Sequence, residues 1–274
     1  MIKTTTAINR WWKIFNQWLT DASNLALPRM CEICRHRLLY NESCLCNSCY
    51  AQLPFTHMQG KPGNVVEKLF WKQFPIVRAS AFLHYQPGAP YTQAIMALKY
   101  HHRPQVGVFF GERMAEDLLE TDFFEGIDFL IPVPLAQDRL RKRGYNQSET
   151  LARGIEKVTG IPVCTDAVTR SISNPSQTHL GATERKENVK GIFTLNPNHQ
   201  LDHCHVLLID DILTTGATLI SCAQTLAQTE DIRISVLTLG LAGTHTNILN
   251  NKEEDGDNSF ATQLDTEDEK HLTP

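Results

Sequence analysis

An apolar run that ends in two adjacent acids and a hydroxyl-rich turn constrains this sequence more than any other feature. The segment VLLIDDILTTGATLISCA spans residues 206–223. Its large apolar residues predict a strand that is buried on both faces, which is typical of a parallel sheet covered by helices. The small residues that follow predict a turn into a helix. In an open α/β sheet such a turn lies at the carboxyl ends of the strands, where ligands bind.

The same alternation of apolar strands and periodic helices recurs along the chain. We predict strands at 76–85, 127–135, 205–210 and 232–242. We predict helices at 91–100, 106–119, 148–158 and 217–227. Strands that alternate with helices predict an α/β fold, a parallel sheet with helices on both faces.

The turn after residue 211 carries groups suited to a phosphate and a sugar. Backbone N–H groups and the dipole at a helix N-terminus favour an anion, and the hydroxyls of Thr214, Thr215 and Thr218 can donate to it. Asp210 and Asp211 can accept hydrogen bonds from sugar hydroxyls. The segment lacks the glycine patterns of dinucleotide-binding and P-loop sites. The alternative is an ordinary strand–turn–helix with a capping threonine.

Five of the eight cysteines fall within nineteen residues, in CEICRHRLLYNESCLCNSC. Two Cys-x-x-Cys pairs, Cys31/Cys34 and Cys46/Cys49, predict one structural zinc ion in a closed tetrahedral shell. Cys44 could replace Cys46 as a ligand or remain free, and disulfides are the alternative to zinc. The other three cysteines lie in apolar segments and are expected to be small buried side chains: Cys164, Cys204 and Cys222.

The net charge of −4 conceals an asymmetry. Residues 250–274 hold eight acids and two lysines, which leaves 24 basic and 22 acidic residues, or +2, in the rest of the chain. Residues 139–190 hold ten Lys or Arg against five acids. This basic stretch could contact phosphates or nucleic acid, and the alternative is a solvated helix face.

Composition shifts divide the chain into five segments. We expect an amphipathic, Trp-rich extension at 1–28, a zinc-binding motif at 29–56, a linker at 57–75, the α/β domain at 76–243 and a disordered acidic tail at 244–274. Packing on the neighbouring domain is favoured over a membrane-surface role for the extension. There is no apolar run of about 18 residues and no signal-peptide pattern, so we expect a cytoplasmic protein without a transmembrane segment.

The turn and several further motifs resemble known families. VLLIDDILTTGAT resembles the phosphoribosyl-pyrophosphate (PRPP) signature of type I phosphoribosyltransferases. The four-cysteine motif, LKY (98–100), PVPL (132–135), RLRKRGYNQSETLA (139–152) and TRSISNPSQTHLGATERKENVKGIF (169–193) resemble the ComF family. The resemblance covers roughly residues 30–243 and implies a type I phosphoribosyltransferase-like sheet with a small N-terminal zinc ribbon.

The resemblance also implies roles for individual residues. Asp210 and Asp211 would face the ribose and act as the catalytic carboxylates, Mg²⁺ would be carried mainly by the substrate, and pyrophosphate would lie near the strand end at 132–135. The implied PRPP-binding residues are Asp210, Asp211, Thr214, Thr215, Gly216, Ala217, Thr218, Pro132, Val133 and Pro134. Residues that could contact phosphate or DNA are Arg139, Arg141, Lys142, Arg143, Tyr145, Asn146, Gln147, Arg170 and Arg185.

The function implied is that of a ComF-type protein that binds PRPP, with glycosyl transfer as its possible reaction, linked to competence and DNA uptake. Two alternatives stay open: a sensor that binds PRPP without catalysis, and a factor that binds single-stranded DNA during transformation. The expected partners are PRPP, single-stranded DNA and other competence proteins.

Overall fold

A four-stranded parallel sheet in the order β1–β6–β5–β2 organises the chain. The computed structural model describes residues 28–58, 61–100, 102–170 and 192–243. The strands of the sheet are β1 Ile76–Tyr85, β2 Phe129–Pro132, β5 His205–Leu213 and β6 Arg233–Ala242. A second, antiparallel pair consists of β3 Val168–Arg170 and β4 Phe193–Leu195. The predictions for the N-terminal extension, the acidic tail and Arg185 fall outside the described residues.

Helices cover both faces of the sheet. They are α1 Asn47–Ala51, α2 Val65–Phe70, α3 Thr92–Tyr100, α4 Pro104–Leu118, α5 Gln137–Arg143, α6 Gln147–Thr159 and α7 Ala217–Leu226. On β5, Leu207 and Ile209 face the core that contains helices α4 and α6, whereas Val206 and Leu208 face the core that contains α2 and α7. Burial on both faces explains the nearly continuous apolar run of this strand. The predicted α/β sheet with flanking helices is therefore confirmed.

Helices α4 and α6 approach each other closely because glycines line their interface. A Cβ atom built on Gly154 would lie 2.2 Å from the carbonyl oxygen of Val108, and one on Gly111 would lie 2.1 Å from that of Leu151. Neither helix can move apart without opening the core. This contact fixes the start of α6 beside the carboxyl edge of the sheet.

Two strand boundaries differ from the sequence prediction. The strand predicted at 127–135 covers only Phe129–Pro132, because Pro132 and Pro134 have no N–H to donate to a sheet. The strand predicted at 205–210 continues to Leu213. The two acids therefore belong to the last part of β5.

Part of the segment expected to be a linker is instead packed structure. Within residues 57–75, helix α2 buries Val66 and Phe70 completely. The Asn64 side chain caps this helix by accepting from Val66 N at 2.8 Å, and its Nδ2 donates to the Ala79 carbonyl of β1 at 2.7 Å. The Pro and Gly residues near position 62 obscure this helix in the sequence. No helix in the described ranges is both long and apolar enough to cross a membrane.

Candidate functional site

The four cysteines of the two Cys-x-x-Cys pairs converge. Their sulfur atoms all lie within 4.8 Å of one another, and the Sγ atoms of Cys34 and Cys46 are 3.7 Å apart. Zinc–sulfur bonds of about 2.3 Å require sulfurs about 3.8 Å apart in a tetrahedron, so one zinc ion fits this set. Cys44 is buried elsewhere and donates to the Gln105 carbonyl at 3.6 Å. The ambiguity over Cys44 is thereby removed.

An ion pair between the buried Glu32 and the half-exposed Arg103 links this cysteine cluster to the α/β domain. Glu32, only 3% exposed, accepts from Arg103 Nη1 at 2.8 Å and lies 3.3 Å from Arg35 Nη1. Arg103 immediately precedes α4. Burial by itself raises the pKa of the Cys31 thiol, but the backbone N–H groups of Cys34, Cys46 and Ile33 lower it to about 7. No local pattern in the sequence marks Glu32, because its partner Arg103 lies 71 residues away.

The end of β5 opens into a cavity of about 160 Å³ at the carboxyl edge of the sheet. Side chains from five parts of the chain line this cavity. Its lining consists of Lys99, Val133, Pro134, Leu135, Arg139, Arg143, Gln147, Ser148, Arg170, Asp210, Asp211, Ile212 and Thr218. The lining therefore combines two carboxylates with the guanidinium groups of three arginines.

Asp210 is partly buried in the lining of this cavity. Its Oδ1 accepts from the Ser148 hydroxyl at 3.0 Å and from the Asp211 backbone N–H at 2.9 Å. Burial, together with the neighbouring charge of Asp211, raises the pKa of the Asp210 carboxyl to about 7. This carboxyl therefore changes charge near neutral pH.

Asp211 has a cationic partner, Lys99, that the sequence alone does not predict. The Nζ atom of Lys99, at the end of α3, lies 2.9 Å from Asp211 Oδ2. The Ile212 backbone N–H donates to Asp211 Oδ1 at 2.6 Å. The only sequence signal for Lys99 is its place in the LKY motif at 98–100.

The hydroxyl-rich turn forms a smaller recess beside this cavity. Residues 212–219 and Asp210 line a volume of about 40 Å³. Gly216, at the N-cap of α7, has φ of +76°, a conformation that L side chains rarely adopt. Thr215 Oγ1 lies 3.5 Å from Ala217 N, so the threonine gives the helix only a weak cap. The predicted phosphate-binding residues 214–218 thus surround one recess at a helix N-terminus.

The strand end at β2, next to β5 in the sheet, also lines the cavity. Val133 and Pro134 line it, whereas Pro132 lies within β2 and its neighbour in the parallel ladder is Ile209. Asn146 Nδ2 donates to the Val133 carbonyl at 3.0 Å, and Asn146 Oδ1 caps α6. Asn146 therefore holds this strand end in place.

Two neighbours of Asn146 are also tied to the protein. The Tyr145 hydroxyl donates to the Leu98 carbonyl. Gln147 is buried, accepts from Arg143 Nη1 at 2.6 Å, and lines the cavity. The ring of Tyr145 packs against the core, which leaves it little surface for stacking on a base.

The predicted basic residues separate into three groups. Arg139, Arg143 and Arg170 line the cavity, Lys142 lies in an adjoining groove, and Arg141 is exposed outside both linings. Burial, and next the charge of Arg139, lowers the pKa of Arg170. The Arg170 guanidinium lies 5.5 Å from the centre of the Phe193 ring, and its buried Nε has no hydrogen-bond partner among the described residues.

The adjoining groove is larger and strongly basic. Its volume is about 430 Å³, and its lining consists of Lys99, Tyr100, His102, Arg139, Lys142 and Arg143. Tyr100 is 59% exposed, and the Arg143 guanidinium lies 5.5 Å from the centre of its ring. Three cations, Lys99, Arg139 and Arg143, line both the groove and the acidic cavity.

Comparison with known proteins places the chain among bacterial relatives. No protein-family model matches it. DNA utilization protein YhgH of Shigella flexneri is 29% identical over 217 residues, which cover 74% of this chain and 92% of that protein. Competence protein F of Haemophilus influenzae is 36% identical over 91 residues, or 33% of this chain and 40% of that one. In its sequence this chain is ComF-like: it is similar to these two proteins and to competence protein ComFC of Bacillus subtilis.

Solved structures of phosphoribosyltransferases also match this ComF-like protein. The hypoxanthine phosphoribosyltransferase of Trypanosoma cruzi is 17% identical, with a TM-score of 0.31. The match covers 51% of the ComF-like chain and 65% of that enzyme.

The raised pKa of Asp210 predicts how the stability of the ComF-like protein depends on pH. The folded protein keeps the Asp210 proton up to about pH 7, whereas an unfolded chain loses it near about pH 4. Folding therefore takes up a proton between these values, so this group destabilises the fold increasingly as the pH rises through that window. Asp210→Asn removes the dependence while keeping a hydrogen-bond acceptor for Ser148.

We expect the melting temperature of Asp210→Asn relative to wild type to increase from about pH 5 to about pH 8 in thermal unfolding. Asp202→Asn, which alters an exposed carboxylate, is the matched control. A constant difference across this range would show that Asp210 is not held protonated.

Proposed function

We propose that this ComF-like protein binds PRPP, together with Mg²⁺, at the carboxyl edge of its sheet. The supporting observation is that one cavity joins the carboxylates of Asp210 and Asp211, the hydroxyl of Thr218 and the guanidinium group of Arg170. PRPP carries the complementary groups: two ribose hydroxyls, a 5′-phosphate and a pyrophosphate.

Each part of the ligand has a matching part of the site. The carboxylates of β5 accept hydrogen bonds from the ribose hydroxyls, and the recess at 212–219 receives the 5′-phosphate at the start of α7. Pyrophosphate lies toward Arg139 and Arg170, beside the strand end at Val133. Mg²⁺ enters with the substrate, because it keeps most of its phosphate and water ligands in such sites.

The same arrangement would favour glycosyl transfer. When the bond between ribose C1 and the pyrophosphate oxygen breaks, positive charge develops on the ribose ring and the electron pair leaves with pyrophosphate. The carboxylates stabilise the first charge and the guanidinium groups stabilise the second. Without an acceptor for the ribose, the same site would act as a PRPP sensor.

Calorimetric titration with PRPP and Mg²⁺ tests this proposal. We expect Asp210→Asn combined with Asp211→Asn to weaken binding by at least about tenfold, because hydrogen bonds to charged groups contribute about 1.5–3 kcal/mol each. Thr215→Val removes one phosphate donor and should also weaken binding. Thr229→Val lies beyond the other end of α7 and should bind like wild type. If wild type gives no heat at millimolar PRPP, the proposal fails.

The cysteine cluster supports a second proposal, that the protein holds a structural zinc ion. The convergence of four sulfurs leaves no open position for substrate, so the ion would stabilise the segment that Glu32 ties to Arg103.

Metal analysis of purified, reduced protein checks the zinc proposal. Cys31→Ser or Cys49→Ser should lose about one equivalent of zinc, because a structural site of this kind needs all four thiolates to bind the ion. Cys44→Ser is the matched control and should retain the ion, since Cys44 Sγ contacts the Gln105 carbonyl. Equal zinc in all four proteins would contradict the assignment.

A third proposal concerns DNA, in keeping with the competence and DNA-utilization names of the relatives. The basic groove at Tyr100 and Lys142 suits a single-stranded nucleic acid, whose phosphates need cations and whose bases stack on exposed aromatic rings. A role in DNA uptake within the cell follows from this proposal.

Lys142 and Arg141 allow a closely matched test of the DNA proposal. Both are exposed on α5, but only Lys142 lines the groove. We expect Lys142→Ala to weaken binding of single-stranded DNA and to reduce the slope of log affinity against log salt by about 0.7, whereas Arg141→Ala leaves the slope unchanged. Identical slopes for the two variants, or no salt dependence in wild type, would show that the groove is not the binding site for single-stranded DNA.

A further inference from the structure

A second group of residues that could bind a metal lies beside the antiparallel β3–β4 pair, apart from the cysteine cluster. It consists of Cys164, Asp166 and His199. Cys164 Sγ lies 3.6 Å from His199 Nδ1 and 3.9 Å from Asp166 Oδ1, and His199 Nε2 lies 2.9 Å from Asp166 Oδ1. The sequence alone predicts only that Cys164 is a small buried side chain.

The backbone on both sides of this group is fixed by hydrogen bonds. Cys164 N donates to the Leu130 carbonyl of β2 at 2.9 Å, so its segment runs along the edge of the main sheet. Asn196 N donates to the Ala167 carbonyl at 2.9 Å, and His199 N donates to the Asn196 carbonyl at 3.2 Å. The backbone thus brings Cys164 and the turn that carries His199 close together.

The chemistry and spacing of these donors suit a transition metal. One ligand atom of each residue lies within 4.8 Å of the other two, and zinc bonds of about 2.0–2.3 Å place neighbouring ligand atoms about 3.3–3.8 Å apart. His199 offers one ring nitrogen to such an ion, and its present 2.9 Å contact with Asp166 Oδ1 would be replaced by bonds from both side chains to the metal. Thiolate, imidazole and carboxylate are the three ligand types that zinc accepts in proteins. We propose that Cys164, Asp166 and His199 bind one divalent ion of the zinc class, with water as the fourth ligand on the exposed side of Asp166.

Two other interpretations fit less well. A Cys–His–Asp relay for nucleophilic catalysis would need the sulfur to meet a substrate, yet Cys164 is 9% exposed. The other three-residue group, His203, Glu230 and Asp231, is exposed throughout and contains no sulfur. A metal of the zinc class prefers the group that offers a thiolate.

The position of the ion gives it a structural consequence. It would cross-link the segment before β3 to the turn after β4, and β3 ends at Arg170, which lines the acidic cavity. The ion would therefore fix the position of the β3–β4 pair, whose first strand ends at Arg170. The metal site itself does not depend on whether PRPP binds.

Metal content of the full-length protein tests the proposal. We expect Cys164→Ser and His199→Gln each to contain about one zinc equivalent less than wild type, while they keep the ion that needs Cys31. Cys204→Ser and His203→Gln are matched controls and should contain as much zinc as wild type. The proposal is overturned if Cys164→Ser retains the wild-type content, or if His203→Gln loses the ion instead.

Asp166→Asn provides a test that does not depend on folding, because this side chain is 64% exposed. An amide oxygen is a weaker ligand than a carboxylate, so we expect the variant to lose one zinc equivalent to a mild chelator several-fold faster than wild type. Equal rates of loss would count against Asp166 as a ligand and against the site as proposed.

Discussion

A partly buried carboxylate at the end of a buried strand is the constraint on which the rest of this site depends. Asp210 lies where β5 leaves the core, and an unpaired charge there would be costly. The Ser148 hydroxyl and the Asp211 N–H solvate it, while Lys99 compensates Asp211. Ser148 reaches Asp210 because the glycine-lined contact between α4 and α6 fixes the start of α6. The packing of α4 against α6 thus places the Ser148 hydroxyl within hydrogen-bond distance of the Asp210 carboxyl.

The two cavities form one electrostatic system. The acidic cavity and the basic groove share three cations in their linings: Lys99, Arg139 and Arg143. An anion that pairs with these cations in one cavity therefore reduces the positive charge that a ligand in the other would meet. The α4 helix that begins beside the groove is also the helix that Arg103 ties to the cysteine cluster through Glu32. Two ion pairs, Glu32 with Arg103 and Asp211 with Lys99, therefore join the cysteine cluster, the groove and the acidic cavity to one another.

Those parts of the fold that depend on local sequence pattern were predictable. The apolar runs gave the strands of the sheet, and Asp210, Asp211 and the threonines stand out because they follow such a run. Lys99, Ser148 and Glu32 were not predicted, because their partners lie far away in sequence and only the packed structure brings them together. Helix α2 was missed because the Gly and Pro residues before it suggested a loop. The group of Cys164, Asp166 and His199 joins two segments more than 30 residues apart, and no local pattern marks it.

The central claim is that the carboxylates of Asp210 and Asp211 recognise ribose and the turn before α7 recognises phosphate. A crystal structure of the protein with PRPP and Mg²⁺ tests it most directly. The account predicts ribose hydroxyls within hydrogen-bond distance of Asp210 and Asp211, with the 5′-phosphate in the recess formed by residues 212–219. A structure in which PRPP lies in the basic groove at Tyr100 and Lys142, with its ribose away from both carboxylates, would contradict it.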